Sequence, residues 1–284
     1  MNEDFTKQLY QFVGESATKI TNNTESMKTF AGFLGMYQGR NHTIRNKLLI
    51  AGYNINATDV RTAEEWSQVG VSIPDPENCI WLMKKDSSAS TGYTAQAAYD
   101  RSATSLGAAS EPYIDPGELA ERILLHRPCP VVFVQDGTLG RSKALYVEGE
   151  NKIQVRAGYN NLTDVCHLMI QEYTHVAIRE EEKAAWRPDE SGRPFQYNRN
   201  HARYGSLSQL VTYAVCKRYG IKAPELTNLQ PLDTNIEGRI AYIDRINRLA
   251  DTVTKQIEGR EPIQKAERRA AASAASAMPE AGRE

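Results

Sequence analysis

The sequence predicts an α+β protein with a mainly helical N-terminal domain that includes a small sheet, and a C-terminal domain in which a small antiparallel sheet packs on helices. Apolar residues recur at helical spacing before residue 70 and again after residue 164. Short apolar runs bounded by turn residues lie at 79–83 and between 131 and 156. Hydrophobic residues make up 40% of the 284 positions, which is enough to form buried cores.

Four helices are predicted before residue 70. The first two have apolar faces formed by Phe5, Leu9, Phe12 and Val13, and by Met27, Phe30, Phe33, Leu34 and Tyr37. Asn41 is the predicted N-cap of the third helix, which carries Ile44, Leu48, Leu49 and Ile50. Thr62 and Glu65 fit a capping box, and Gly70 follows as a stop signal, so we expect a short helix over residues 63–69 that presents Trp66.

The N-terminal domain is predicted to cover residues 1–85 and to end with a strand at 79–83. Residues 86–116 are rich in Ser, Ala, Thr and Gly and poor in large aliphatic side chains. This composition is typical of a linker or a long mobile loop.

The C-terminal domain is predicted over residues 117–257. A helix at 116–126 precedes three strands at 131–134, 144–147 and 152–156, and the turns between them favour an antiparallel sheet. Three helices follow at 164–178, 207–219 and 236–257. Residues 258–284 are rich in Ala and charge without an apolar face, and they are predicted to be a disordered tail.

Composition excludes several classes of protein. With 34 Lys+Arg against 35 Asp+Glu, the net charge of −1 argues against a protein that coats nucleic acid, so any such site must be local. No run approaches 18 apolar residues, and the start MNEDFTKQLYQF has no apolar stretch, so we expect neither a membrane span nor a secretory signal. The four cysteines lack CxxC spacing. A cytoplasmic location is predicted.

Basic and aromatic side chains alternate around the third helix and the strand. Cations neutralise phosphates and aromatic rings stack on unpaired bases, a combination that suits single-stranded DNA without sequence readout. Residues 1–85 hold equal numbers of basic and acidic side chains, and Trp66 and Trp81 lie on apolar elements, so a core position is the alternative for both. The DNA-binding candidates are Arg40, His42, Arg45, Lys47, Tyr53, Arg61, Trp66, Trp81, Lys84 and Lys85.

The stretch from residue 40 to 85 carries a series of motif residues, in order Asn46, Leu48, Leu49, Ile50, Asn56, Ala57, Thr58, Asp59, Val60, Trp66, Gly70, Ile80 and Trp81. In their order and spacing they resemble the N-terminal domain of the antirestriction protein ArdC family. This resemblance, which covers about residues 5 to 85, implies a domain that binds single-stranded DNA in proteins of plasmids, phages and conjugative elements. Where the family has a turn rich in Gly and Lys, this chain has Pro74, Asp75, Pro76 and Glu77.

A second motif lies in the run CHLMIQEYTHVAI. Gln171, Glu172 and His175 form the HExxH pattern with Gln in place of the first His. In the intact motif, residues i and i+4 bind one metal from the same face of a helix, and the Glu acts as general base on metal-bound water. An amide oxygen is a poorer zinc ligand than imidazole. His201, on a separate loop, is a further candidate ligand.

ArdC-like proteins often carry a C-terminal zincin-type metallopeptidase domain, and the resemblance extends to about residues 117–257. The run SLSQLVTYAVCKRYGI aligns with the helix that supplies the third metal ligand, at Tyr213, Val215, Cys216 and Gly220. This places Gln209 at the ligand position. With Gln at two ligand positions, the resemblance implies an inactive peptidase that retains the fold. A capping box formed by Ser206 and Gln209 is the alternative role for Gln209.

Three functions remain open from the sequence. The leading one is an antirestriction-type or accessory protein of a mobile element that binds single-stranded DNA and needs no cofactor. The second is an active metallopeptidase, with zinc as its metal and Glu172 as general base. The third is a decoy that binds a host restriction or defence protein, for which the acidic runs around 179–183 and 187–190 are the sequence evidence.

Overall fold

The structure is a computed structural model, and it describes residues 3–39, 42–135, 137–140, 142–158, 161–187, 195–198, 202–227, 229, 231–261 and 263. The chain forms two compact units. The first comprises Met1–Tyr113, Lys217–Gly220 and Leu226–Asn247; the second comprises Ile114–Cys216, Ile221–Glu225 and Arg248–Glu284. Within the described residues there are helices and two three-stranded sheets, which confirms the predicted α+β class.

The first unit contains a sheet in the order β1-β3-β2, with both pairings antiparallel. Its strands are β1 (Val60–Arg61), β2 (Ile80–Lys85) and β3 (Tyr93–Asp100). In the long pairing, Ile80 lies opposite Ala98 and Lys85 lies opposite Tyr93. β2 is therefore an edge strand.

The first unit also contains the helices α1 (Glu3–Thr21), α2 (Thr24–Met36), α3 (Ile44–Tyr53) and α4 (Ala63–Gln68), of which α1, α3 and α4 contact the sheet. α1 packs against α2 and α3 as well as β2 and β3. The capping box of α4 forms as predicted, because Thr62 and Glu65 exchange both of its hydrogen bonds. The predicted N-cap Asn41 lies outside the described residues; Thr43 caps α3, its hydroxyl accepting from Asn46 N–H.

The structure differs from the sequence prediction at residues 86–116. Strand β3 lies within this predicted linker and forms the centre of the sheet. Its sequence YTAQAAYD lacks large aliphatic residues, the usual mark of a strand. Ala98 is fully buried and Ala95 nearly so, on opposite faces of the strand, and α1 packs against β3. The first unit accordingly continues to Tyr113.

The second unit begins with α5 (Pro116–Leu125) and continues with β4 (Val131–Val134), β5 (Ala144–Val147) and β6 (Lys152–Arg156). The prediction of an antiparallel sheet is wrong in one pairing. β5 and β6 form an antiparallel hairpin, but β6 takes the central position and runs parallel to β4. Turn residues close in sequence predict the β5–β6 hairpin. The pairing of β6 with β4 depends on contacts between segments that are further apart in the chain.

Long helices complete the fold: α6 (Leu162–Ala185), α7 (Ala202–Arg218) and α8 (Ile236–Ile257). α6 extends seven residues beyond its predicted end at 178, through the acidic run, because Glu180 is buried beside Arg179. α7 already runs from Ala202, so Ser206 lies inside the helix and the proposed capping box with Gln209 does not form. Of the predicted tail, residues 258–261 and 263 are described. Ile263 is buried, and its N–H donates to Gln256 Oε1.

One glycine is required by the backbone. Gly220 has a φ of +66°, and a Cβ at this position would lie 1.7 Å from the carbonyl oxygen of Pro112. Only glycine fits both the left-handed conformation and this close approach. None of the described helices is both long enough and apolar enough to span a membrane.

Candidate functional site

The proposed DNA-binding side chains of the first unit fall into two groups. Four of them have structural roles. Lys47 is only 8% exposed; its Nζ donates to Asn247 Oδ1 at 2.7 Å and lies 5.6 Å from the centre of the Tyr37 ring. His42 Nε2 lies 3.0 Å from the carbonyl oxygen of Val60. These two side chains are committed to the fold around α3.

Arg61 and Trp66 form a second structural pair. Arg61 binds the Asp59 carboxylate through Nε and Nη2, with a shortest distance of 2.7 Å, and its guanidinium lies 4.7 Å from the Trp66 ring. The hydrogen bond that Arg61 donates to Asp59 raises the pKa of the guanidinium. Trp66 is 2% exposed and its Nε1–H donates to the carbonyl oxygen of Tyr99 at 2.9 Å. Trp66 is thus a core residue, and the indole is not available to stack on a base.

The remaining candidates lie nearer to solvent. Lys84 and Lys85 are exposed at the end of β2, and Tyr53 is 50% exposed, its ring stacked on Phe12 at 5.8 Å. Trp81 is half-buried and contacts Phe5 edge to face. Arg45 forms an ion pair of 2.9 Å with Glu237. Arg40 lies outside the described residues.

Three residues of the ArdC-like motif, Asn46, Thr58 and Asp59, form hydrogen bonds with the strands of the first unit. Asp100, at the end of β3, accepts hydrogen bonds from the backbone N–H groups of Thr58 at 3.0 Å and Asp59 at 3.4 Å. Asn46 pairs with the backbone of Met83 on β2. Asn46, Thr58 and Asp59 therefore have structural roles in the first unit.

In the second unit, helix α6 presents the HExxH-like motif. Glu172 is 2% exposed, and its Oε2 accepts the backbone N–H of Tyr146 on β5 at 2.6 Å. His175 is 3% exposed, and its Nδ1 lies 2.7 Å from the hydroxyl oxygen of Tyr197. The general base candidate is thus bonded to the sheet, and the histidine to a separate segment of the chain.

Tyr197 connects the motif to an ion-pair cluster. Its backbone N–H donates to Glu148 Oε2 at 3.2 Å, and Glu148 Oε1 lies 3.3 Å from Arg179 Nε. Arg179 also pairs with the buried Glu180. This cluster orders the segment at Tyr197 beside α6. Sequence reasoning missed Tyr197 and Glu148, since neither carries a motif or a periodicity.

The other candidate ligands are less well defined. Gln171 and Gln209 are both half-buried, and Gln171 lies on the same face of α6 as His175 because they are four residues apart. His201 lies outside the described residues. His167 lies eight residues before His175 on α6, too far away to be a ligand of the same ion, and its Nε2 contacts the carbonyl oxygen of Lys222. Burial lowers the pKa of His167.

The donor atoms of the described candidate residues do not fit a zinc site. Zinc is bound by His, Cys or carboxylate side chains. In the part of the chain that the structure describes, no group of three or more His, Cys, Asp or Glu is placed to hold a metal ion. Gln171 and Gln209 offer neutral amides, and the Glu172 carboxylate is already bonded to Tyr146 N–H.

The acidic run behind the decoy hypothesis is mostly engaged within the second unit. Glu180 is buried beside Arg179, and Glu181 pairs with Arg248 at 2.7 Å. Residues 188–190 of the second acidic run lie outside the described residues. The first run is therefore part of a packed helix and not a solvated loop.

Comparison of the sequence with protein-family models finds no match, and neither does comparison with curated proteins. Two solved structures are similar to this chain. The metal-free crystal structure of the antirestriction protein ArdC from plasmid R388 has a TM-score of 0.51 at 11% identity, covering 88% of this chain and 98% of that one. The Mn(II)-bound structure of the same plasmid protein has a TM-score of 0.47 at 10% identity, with coverage of 90% and 97%. The chain therefore has an ArdC-like fold over nearly its whole length.

Proposed function

We propose that this protein is an antirestriction-type accessory protein of a mobile genetic element that binds single-stranded DNA through its first unit. The observation that carries the proposal is the likeness to the plasmid antirestriction protein, which covers 88% of this chain and includes both units. The partner is single-stranded DNA, and a host restriction or defence protein is a further candidate.

The side chains at the end of β2 and on α3 that lie nearest to solvent support DNA binding. Lys84 and Lys85 supply adjacent charges for phosphates, and Tyr53 offers a half-exposed ring for a base. Arg45 contributes if it exchanges its ion pair with Glu237 for a phosphate. Such surface ion pairs are weak, so the exchange costs little.

Binding of this kind is weak, local and sensitive to salt. The chain has a net charge of −1, so long-range attraction to DNA is small. The structural roles of Lys47 and Arg61 reduce the number of cations available for phosphates. Affinity then depends on a few contacts, and it falls steeply as counterions compete.

We further propose that the second unit is a non-catalytic relative of a metallopeptidase. Gln171 and Gln209 replace strong ligands, and Glu172 is buried and bonded to the Tyr146 N–H instead of facing open solvent. In this arrangement, α6 serves to join the sheet to the segment at Tyr197.

The DNA-binding proposal is tested by gel shift with a single-stranded oligonucleotide across a salt series. The double variant Lys84→Ala, Lys85→Ala should weaken binding and reduce the slope of log K against log salt by about 0.7 for each phosphate contact removed. The matched control Lys183→Ala, Lys222→Ala removes two exposed lysines from the second unit and should leave binding unchanged. No complex at low salt, beside a working positive control, would overturn the proposal.

The non-catalytic role is tested by elemental analysis and a peptidase assay on the purified chain. We expect neither stoichiometric zinc or manganese nor cleavage of an unfolded protein substrate. Cleavage that is lost in Glu172→Gln would contradict the proposal, since it would show that Glu172 acts as a base. Glu118→Gln, at an exposed acid on α5, is the control.

A further inference from the structure

The first unit contains a groove that none of the roles above uses. It lies between α1, α2 and α3 and has a volume of about 530 Å³, within the range of small-molecule sites. Its apolar lining includes Phe12, Phe30 and Leu48, while Glu15, Lys19 and Glu25 lie among its polar residues. A largely apolar groove with a few polar groups is the usual form of a ligand site.

The aromatic part of the groove suits a planar ring. Phe12 is half-buried in the wall, and the half-exposed Tyr53 stacks on it at 5.8 Å with an angle of 29° between the rings. Aromatic side chains of this kind stack on unpaired bases without sequence preference. The wall from α3 begins at Leu48, immediately after the basic first turn that holds Arg45 and Lys47.

The polar groups suit a base with an amino group and its phosphate. Glu15 and Glu25 are exposed. Glu15 accepts a hydrogen bond from Gln11, and Glu25 forms an ion pair with Lys28. Because a carboxylate has about four acceptor positions, both can accept further hydrogen bonds. Carboxylates accept hydrogen bonds from the exocyclic amino group of cytosine. Lys19 is exposed and forms no ion pair with any described residue, so its ammonium group is available for a phosphate.

From these features we infer that the groove binds an unpaired nucleobase that bears an exocyclic amino group, with its phosphate beside Lys19. This inference rests on the proposed binding of single-stranded DNA and specifies it. Cytosine is accepted better than thymine, whose exocyclic group is a carbonyl that the carboxylates repel.

The first experiment titrates the full chain with dCMP and with dTMP and follows the backbone amide NMR signals of Ala51 and Gly52, which line the groove. We expect dCMP to shift both signals, with an apparent affinity about tenfold higher than that of dTMP. The variant Glu15→Ala, Glu25→Ala should remove this preference. The control Glu64→Ala, Glu77→Ala removes two exposed acids that do not line the groove and should retain it.

The second experiment compares gel shifts of a cytosine and a thymine homo-oligonucleotide, using Ala51→Trp to fill the groove. We expect the wild type to bind the cytosine strand more tightly than the thymine strand. Ala51→Trp should show no such preference. If dCMP shifts the two signals while no strand binds, the groove site stands and the proposed function fails. If strands bind equally well and dCMP leaves both signals unmoved, the groove inference is overturned and the proposed function stands.

Discussion

The side-chain amide of Asn46 pairs with both backbone groups of Met83. Asn46 Nδ2 donates to the Met83 carbonyl oxygen at 3.0 Å, and Asn46 Oδ1 accepts the Met83 N–H at 2.8 Å. β2 is an edge strand, so these groups have no strand on their outer side. The buried amide replaces a neighbouring strand and joins α3 to the sheet.

Replacing Asn46 should therefore destabilise the first unit. Asn46→Ala leaves two buried backbone groups without this partner, and we expect a loss of about 2 kcal/mol or more in the free energy of unfolding. Urea denaturation of both proteins measures it. Asn56→Ala, at an exposed position of the same family motif, should change stability by less than about 0.5 kcal/mol. Equal effects of the two substitutions would contradict the structural role.

Substitutions at two glycines can distinguish the cost of a left-handed backbone conformation from the cost of a steric clash. Gly220 and Gly92 have φ values of +66° and +72°, but only at Gly220 does a Cβ meet the Pro112 carbonyl oxygen, whereas at Gly92 nothing lies within 4 Å. Gly92→Ala should cost about 1 kcal/mol from the left-handed conformation alone. Gly220→Ala should cost clearly more, or prevent folding, as judged by the denaturation midpoint. A smaller effect at Gly220 than at Gly92 would show that the close approach is absent.

The bond between Tyr197 and His175 should stabilise the second unit. Tyr197→Phe removes the hydroxyl beside a buried imidazole nitrogen, with an expected cost of about 1 kcal/mol. Nitrogen NMR of the imidazole should show a change in the His175 signals, which a purely packing role for Tyr197 would not cause. Tyr113→Phe, at an exposed tyrosine, is the matched control and should alter neither quantity.

Buried thiols make stability decline at high pH. Burial raises the pKa of Cys129 and of Cys166 to about 11 from an ordinary value of 9.0. Between these values the unfolded chain releases protons that the folded chain retains, so stability present below pH 9 falls as the pH rises towards 11. In urea denaturation under reducing conditions, Cys129→Ala, Cys166→Ala should show a shallower decline than the wild type. Parallel declines would mean that the thiols do not contribute.

Thiol labelling offers an independent check. At pH 8 the half-buried Cys79 should react with a thiol reagent before Cys129, Cys166 and Cys216, which are buried. Reactivity requires both access and the thiolate, and the raised pKa of the buried thiols limits the second. Early labelling of Cys166 would contradict its placement in the core.

Elements with strong local signals could be predicted from the sequence. The capping box of Thr62 and Glu65 is read from four consecutive residues, and both of its hydrogen bonds form. Strand β3 escaped prediction because it lacks large aliphatic residues, and the burial of its alanines depends on packing with residues distant in sequence. The position of β6 beside β4 escaped for the same reason.

The candidate sites, too, could be predicted only in their local features. The pattern of Gln171, Glu172 and His175 could be recognised in the sequence because its spacing follows the helix. The sequence did not indicate that Glu172 and His175 are buried and hydrogen-bonded to other segments. The basic residues of the first unit were equally visible, and only the structure separates the exposed Lys84 and Lys85 from the buried Lys47.

By itself, the sequence determined the α+β class, most of the helices and the resemblance to ArdC, because periodicity, caps and motif spacing are local properties. Tertiary structure alone decided which cations are exposed, that Glu172 bonds to β5 and His175 to Tyr197, and that a groove forms between α1, α2 and α3. Burial and hydrogen-bond partners depend on segments far apart in the chain, and these meet only when the core packs.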